Sequence, residues 1–218
     1  MRTNEEFVRT IDATLLLPNA TESEMRNHLQ TAKKHHFRTV AIGCAWFALA
    51  REILADSDVG IDAPIGFPSG YTTTESKVFE TIDAFAKGAQ EADMLINIGW
   101  LRSGRHCDIE EEIRRFVAAA GGKTTKVILE TSYLTDEQKI EGVRLVKRGG
   151  ADFVKTSTGF TSVGATEDDV RLLVREAGDS LRVKASGGIR TRAFAERLLD
   201  LGAARLGASH PEKLLIFV

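Results

Sequence analysis

Cysteine is scarce: among 218 residues only Cys44 and Cys107 occur. That excludes a disulfide framework and a zinc spacing, and it suits a reducing compartment. The histidines, His28, His35, His36, His106 and His210, form no metal-ligand pattern. No Gly-x-Gly-x-x-Gly follows the first apolar run, which weighs against a dinucleotide. Neither a metal nor a cofactor is therefore expected. Charge excess is also lacking, with 29 basic against 31 acidic residues and a formal net charge of −2. A pI near 6.2 gives no electrostatic footprint for nucleic acid or an anionic membrane surface. No apolar run approaches the length of a membrane span, and residues 1–6 lack the apolar centre of a secretion signal. These absences predict a soluble, cytoplasmic chain that binds neither nucleic acid nor membrane.

What is present is a regular alternation. Apolar runs at Ile11–Leu17, Val40–Cys44, Val59–Phe67, Ala92–Ile98, Lys126–Glu130, Ala151–Val154, around Val183 and at Ala204–Gly207 read as strands. Helical patterns fill the intervals. Thr21 with Glu24 is a capping box for a helix to about His35. Thr74, Thr135, Thr166 or Glu167, and Thr191 open later helices, while Gly121-Gly122 and Gly149-Gly150 read as helix stops. No linker, repeat or low-complexity segment interrupts the series, so residues 1–218 are expected to form a single domain. Eight βα units in about 200 residues favour a closed α/β fold, the (β/α)8 TIM barrel, over an open doubly wound sheet.

Active sites of such barrels lie at the C-terminal ends of the strands, which directs attention to charged residues inside or just after apolar runs. Ala151–Val154 ends on Lys155 and breaks into Thr156-Ser157-Thr158-Gly159; one unit later Val183-Lys184-Ala185-Ser186-Gly187-Gly188 repeats the pattern. If these strands are neighbours in register, Lys155 and Lys184 share a face about 4.8 Å apart. Two ammonium groups that close lower at least one pKa, and a lysine with a depressed pKa attacks carbonyls. The plainer reading is a lysine at a strand mouth reaching water, and for Lys184 an ordinary carboxylate partner. Asp93 lies within the run Ala92–Ile98, where an unpaired carboxylate is costly; a structural salt bridge and a catalytic role both fit. Glu130, ending another strand, is expected to pair with either lysine as a structural ion partner. Gly187-Gly188 and Gly207-Ala208-Ser209 follow strands seven and eight, where barrels bind phosphate through backbone N–H groups, and Ser186 and Ser209 add hydroxyls.

Phe153–Phe160 and Val183–Arg190 closely resemble the two lysine motifs of the deoxyribose-phosphate aldolase family, a class I, Schiff-base aldolase family. Ile65-Gly66-Phe67-Pro68, Asp93–Gly99 and Leu206-Gly207-Ala208-Ser209 extend the resemblance from about Ile11 to Ser209. It implies reversible cleavage of 2-deoxyribose 5-phosphate to acetaldehyde and glyceraldehyde 3-phosphate, with Lys155 as the Schiff-base lysine. It also implies a proton relay of Lys184 and Asp93, Asp12 as a second acidic residue, and Thr158 on the phosphate side. A homo-oligomer, dimer or tetramer, is open.

Three stretches depart from the family pattern. Asp-His-Thr-Leu-Leu-Lys-Pro is common at the first motif, where Ala13 and Leu17 replace the His and Lys. The second strand commonly carries Cys-Val-Asn-Pro, and here Gly43-Cys44-Ala45-Trp46 stands. The last motif often has two adjacent serines, the second being His210 here. The acid–base set is thus intact while the substrate-contacting set is altered, so an unphosphorylated acceptor and a non-catalytic sugar-phosphate-binding barrel are the alternatives. Backbone donors at Gly187, Gly188 and Ser209 are expected to keep the preference for phosphate, with His210 beside it. The apolar tail, residues 211–218, is expected to cover the barrel mouth or a partner surface.

Overall fold

A computed structural model describes residues 2–215. Its strands are Ile11–Leu15 (β1), Thr39–Ile42 (β2), Gly60–Ile65 (β3), Glu91–Leu95 (β4), Thr124–Ile128 (β5), Phe153–Lys155 (β6), Arg182–Ser186 (β7) and Arg205–Ala208 (β8). Each pairs in parallel with the next, and β8 returns to β1, so the sheet closes into a barrel with strand order β1 to β8. The expected topology is the observed one.

The helices are Asn4–Val8 (α1), Glu22–His35 (α2), Phe47–Ile53 (α3), Thr74–Ala86 (α4), Ile98–Arg102 (α5), His106–Ala119 (α6), Asp136–Gly149 (α7), Glu167–Ala177 (α8) and Arg192–Asp200 (α9). Local chemistry fixes their starts. Thr21 accepts from the Glu24 N–H while the Glu24 carboxylate returns to the Thr21 N–H; Thr135 and Gln138 do the same. The cap of α4 is Thr73, one residue before the expected Thr74. Gly150, at φ 82°, ends α7 in the left-handed conformation that glycine adopts without strain. The short helix α5 interrupts what the sequence presents as one long strand: Asn97 accepts from the Trp100 N–H and turns the chain.

Strand residues sort by parity. Ala92, Met94, Val127, Val154, Val183, Ala185 and Leu206 point outward into one contiguous apolar core shared with the helices. Burying each large side chain there stabilises the fold by about 1.5–3 kcal/mol. Their neighbours point inward, and this inner layer is charged rather than aliphatic. No helix among the described residues is long and apolar enough to cross a membrane.

The start of the tail forms a 3-10 turn, Pro211–Leu215, against α9. Leu214 is fully buried, and Leu215 lines a cavity of about 600 Å³ with Asn4, Val8 and His35. Those neighbours stand at the end of the barrel where strands begin, so these residues lead away from the mouth rather than over it. Residues 216–218 lie outside the described residues.

Candidate active site

The barrel interior holds Asp12 from β1, Asp62 from β3, Glu91 and Asp93 from β4, Lys126 from β5, Lys155 from β6, Lys184 from β7 and Arg205 from β8, all buried. These carboxylates and cations are equal in number, which is the condition under which so many charges can leave water together. Lys126 Nζ lies 3.0 Å from Asp62 Oδ1, 2.7 Å from Glu91 Oε2 and 2.8 Å from Asp93 Oδ1. Lys184 Nζ lies 2.5 Å from Asp12 Oδ2, 3.0 Å from Asp62 Oδ2 and 2.7 Å from Asp93 Oδ2. Arg205 joins Asp12 at 2.6 Å to Glu91 at 3.0 Å, and Thr39 donates to Asp12 Oδ1 at 2.7 Å. Asp12 Oδ2 and Asp62 Oδ1 meet their ammonium groups at ion-pair distance but off the hydrogen-bond direction, so these contacts are Coulombic. The oxygens of Asp12, Asp62 and Glu91 converge closely enough to ligate a cation, and the cations among them are the protein's own.

Lys155 is placed differently. It faces Lys184 in register, is 5 % exposed, and meets one carboxylate, Asp93 Oδ2, at 2.5 Å. Burial pulls its pKa below the ordinary lysine value, and the like charge of Lys184 adds to the pull against the attraction of Asp93. Desolvation, rather than the like charge expected from the sequence, is the larger cause. Lys184 is also fully desolvated, yet Asp12, Asp62 and Asp93 hold it well above the usual lysine range. Asp93 and Lys155 thus both shift downward although they are partners. Three cations, Lys126, Lys155 and Lys184, overcome the burial of Asp93 and keep it anionic, whereas its single bond to Lys155 does not repay that lysine's desolvation. The site therefore contains one amine whose pKa is lowered beside another whose pKa is raised.

Asp93, Lys155, Lys184 and Asp12 are brought together as expected. Asp62, Lys126, Glu91 and Arg205 were missed: Asp62 interrupts an apolar strand as Asp93 does, in Ile61-Asp62-Ala63, Lys126 lies within β5, and Glu91 and Arg205 open β4 and β8.

Glu130 departs from expectation. It adopts the left-handed region, φ 56°, and its Oε2 accepts from the N–H of Thr158, at 3.0 Å, and from the Thr158 hydroxyl. Glu130 thereby anchors the loop after β6 rather than a lysine, and the Thr158 hydroxyl is engaged inside the protein. Ser186 is engaged too, its Oγ donating to Ser157 O at 2.5 Å. Gly207 lies within the barrel wall: a Cβ there would come 2.8 Å from Ser186 Cβ and 3.6 Å from Lys184 Cε. Its missing side chain makes room for Ser186, while the lysine stem would be in ordinary contact. Gly187, with φ 87°, packs against the Gly164 backbone, while Gly188, φ 73°, faces open space. Ser209 and His210 are exposed beyond β8, with His210 Nδ1 3.7 Å from Glu212 Oε1.

Known proteins similar to this chain are aldolases. The profile of the DeoC/LacD family aldolases matches residues 10–209. The deoxyribose-phosphate aldolase of Bacillus cytotoxicus is 49 % identical over 204 residues, covering 93 % of this chain and 92 % of that protein. Its counterpart from Staphylococcus saprophyticus is 48 % identical over 203 residues, with the same coverage. The deoxyribose phosphate aldolase of Aeropyrum pernix, described as a unique tetramer, superposes with a TM-score of 0.91 at 32 % identity, covering 98 % of this chain and 91 % of that one. A parallel barrel whose mouth carries one under-compensated lysine, and whose sequence follows the family profile almost end to end, belongs to the DeoC/LacD family of aldolases.

Proposed function

We propose that this protein is a class I aldolase that reversibly cleaves 2-deoxyribose 5-phosphate to acetaldehyde and glyceraldehyde 3-phosphate through an imine on Lys155. The observation that carries this reading is the inequality of the lysines inside the barrel: Lys126 and Lys184 each meet three carboxylates, and among the described residues Lys155 meets only Asp93. Relatives sharing about half of the sequence bear the name of that activity.

In the cleavage direction the neutral amine of Lys155 attacks the C1 aldehyde of the open-chain sugar, and the carbinolamine takes up a proton and loses water to give an iminium. The iminium draws in the electrons of the C2–C3 bond as the C3 hydroxyl gives up its proton, which releases glyceraldehyde 3-phosphate and leaves an enamine. Protonation at C2 and hydrolysis then free acetaldehyde and restore Lys155. Asp93, bonded to Lys155 and Lys184 through one oxygen, is positioned to pass protons to and from the nitrogen. Lys184 and Lys126 keep that carboxylate anionic, and Asp12 with Arg205 keeps Lys184 in place. The sugar phosphate is assigned to the loops after β7 and β8, where Gly188 offers backbone to open space; Ser186, Gly187, Gly207, Ser209 and His210 shape that side of the mouth, and Thr158 holds the facing loop.

Residues 1–218 are taken to act as one barrel unit. Self-association is also proposed: Phe79 and Ile82, 70 % and 53 % exposed on α4, and Tyr71 nearby in sequence at 80 %, supply the apolar surface that oligomers cover. Light scattering reads the assembly state directly.

The test of the chemistry is reduction with borohydride in the presence of acetaldehyde. A single adduct is expected on Lys155 by peptide mass spectrometry, and none in Lys155→Ala. An adduct confined to Lys184 or Lys126 would overturn the assignment.

A further inference from the structure

Asp62 has no place in the mechanism above, yet it is fully buried at the centre of the charge network. Its two oxygens lie 3.0 Å from Lys126 Nζ and 3.0 Å from Lys184 Nζ. Asp93 spans the same two ammonium groups, with Oδ1 2.8 Å from Lys126 and Oδ2 2.7 Å from Lys184. The four side chains form a square with cations and carboxylates at alternating corners. Lys155 is attached to this square at Asp93 alone. We propose that Asp62 is a positioning residue that sets the protonation of Lys155 by sharing Lys126 and Lys184 with Asp93.

Charge conservation within a dry site supports this. While Asp62 is ionised it takes part of the field of both ammonium groups, and Asp93 retains negative charge for Lys155. Once Asp62 is neutral, Lys126 and Lys184 lean on Asp93, one anion has left the interior, and the charged form of Lys155 is less favoured. The groups around Asp62 are Glu91 and Asp93 on β4, Lys126 on β5, Lys184 on β7 and Asp12 on β1, with Arg205 of β8 on Asp12 and Glu91. Burial, followed by the negative charge of Asp93, outweighs the two lysines and pushes the Asp62 carboxyl up to about 6. The neutral form of Asp62 is thus reached just below neutral pH. Acidification that neutralises Asp62 lets the Lys155 amine stay unprotonated further down the pH scale, and the two titrations are linked.

This inference rests on Lys155 being the nucleophile, but its test does not use turnover. Protein labelled with 15N-lysine and 13C-aspartate is titrated by NMR, with the Lys155 Nζ and Asp62 carboxyl signals assigned from Lys155→Met and Asp62→Asn. The wild-type Lys155 signal is expected to show a minor step at the pH where the Asp62 carboxyl titrates. In Asp62→Asn that step disappears and the main Lys155 midpoint moves down by about one pH unit; Asp62→Ser gives the same direction should the asparagine variant fold poorly. A purely structural Asp62 would lower Tm and leave the Lys155 midpoint in place, and that result overturns the proposal. So does an upward movement. A lowered midpoint in a protein that yields no borohydride adduct at Lys155 supports the coupling while removing the imine assignment, so the two failures are distinguishable.

Discussion

Lys155 and Lys184 donate to the same oxygen, Asp93 Oδ2, at 2.5 and 2.7 Å, from register-paired positions on β6 and β7. They differ in what else they touch. Lys184 has Asp12 and Asp62 besides, and that surplus of anions raises its pKa while burial lowers that of Lys155. Division of labour between two identical side chains thus comes from the number of carboxylates each can reach.

Lys184→Leu removes a like charge close to Lys155. The proton on Lys155 becomes harder to lose, so the acid limb of imine formation moves to higher pH and trapping at neutral pH slows. Asp12 and Asp62 also lose a buried partner, at a cost of about 3–5 kcal/mol. A pH series of borohydride trapping, with a thermal melt beside it, separates the two effects. A limb that moves to lower pH would contradict the assigned electrostatics.

Asp93→Asn removes the carboxylate that both lysines share. If Asp93 relays protons, exchange of the acetaldehyde methyl protons with deuterated water slows about 100-fold, while substrate affinity changes far less. Proton NMR of acetaldehyde in deuterated buffer measures the exchange. Undiminished exchange together with a lowered Tm would assign Asp93 to structure alone.

Thr158→Val deletes the hydroxyl donated to Glu130 and leaves a buried carboxylate with fewer donors. A destabilisation of about 1–3 kcal/mol follows, read from urea unfolding. Because that hydroxyl is already engaged inside the protein, KM for the phosphorylated sugar is expected to change less than stability does. A large KM effect with unchanged stability would place Thr158 on the substrate instead.

His210 is 71 % exposed in its side chain, and the Glu212 carboxylate lies 3.7 Å from its Nδ1, which disfavours an anion there. His210→Ser should therefore alter kcat/KM for 2-deoxyribose 5-phosphate by no more than about threefold, the range of ordinary surface substitutions. The wild type is expected to prefer that substrate over unphosphorylated 2-deoxyribose. Measuring both sugars with both proteins decides the matter: a phosphate preference that arises only in His210→Ser would mean that the imidazole obstructs the phosphate.

The sequence by itself determined the barrel, because the alternation of short apolar runs with capped helices is a local property written in consecutive residues. It also gave Lys155 and Lys184 a shared face on condition that their strands pair in register, and the structure supplies that register. Only the tertiary structure decided which charges line the interior. Strands of a parallel barrel are covered on both faces, so Asp62, Lys126 and Arg205 sit among apolar neighbours that do not reveal which side points inward. Their partners are far away along the chain: Lys184 meets Asp62 across 122 positions and Asp93 across 91. Local reading likewise placed Glu130 beside a lysine and the tail over the mouth or a partner surface, whereas a left-handed turn takes Glu130 to the loop after β6 and the described start of the tail, with Leu214 buried, does not cover the mouth. The inequality between Lys155 and Lys184 follows from the carboxylates each can reach in space, and closure of the barrel is what brings those carboxylates together.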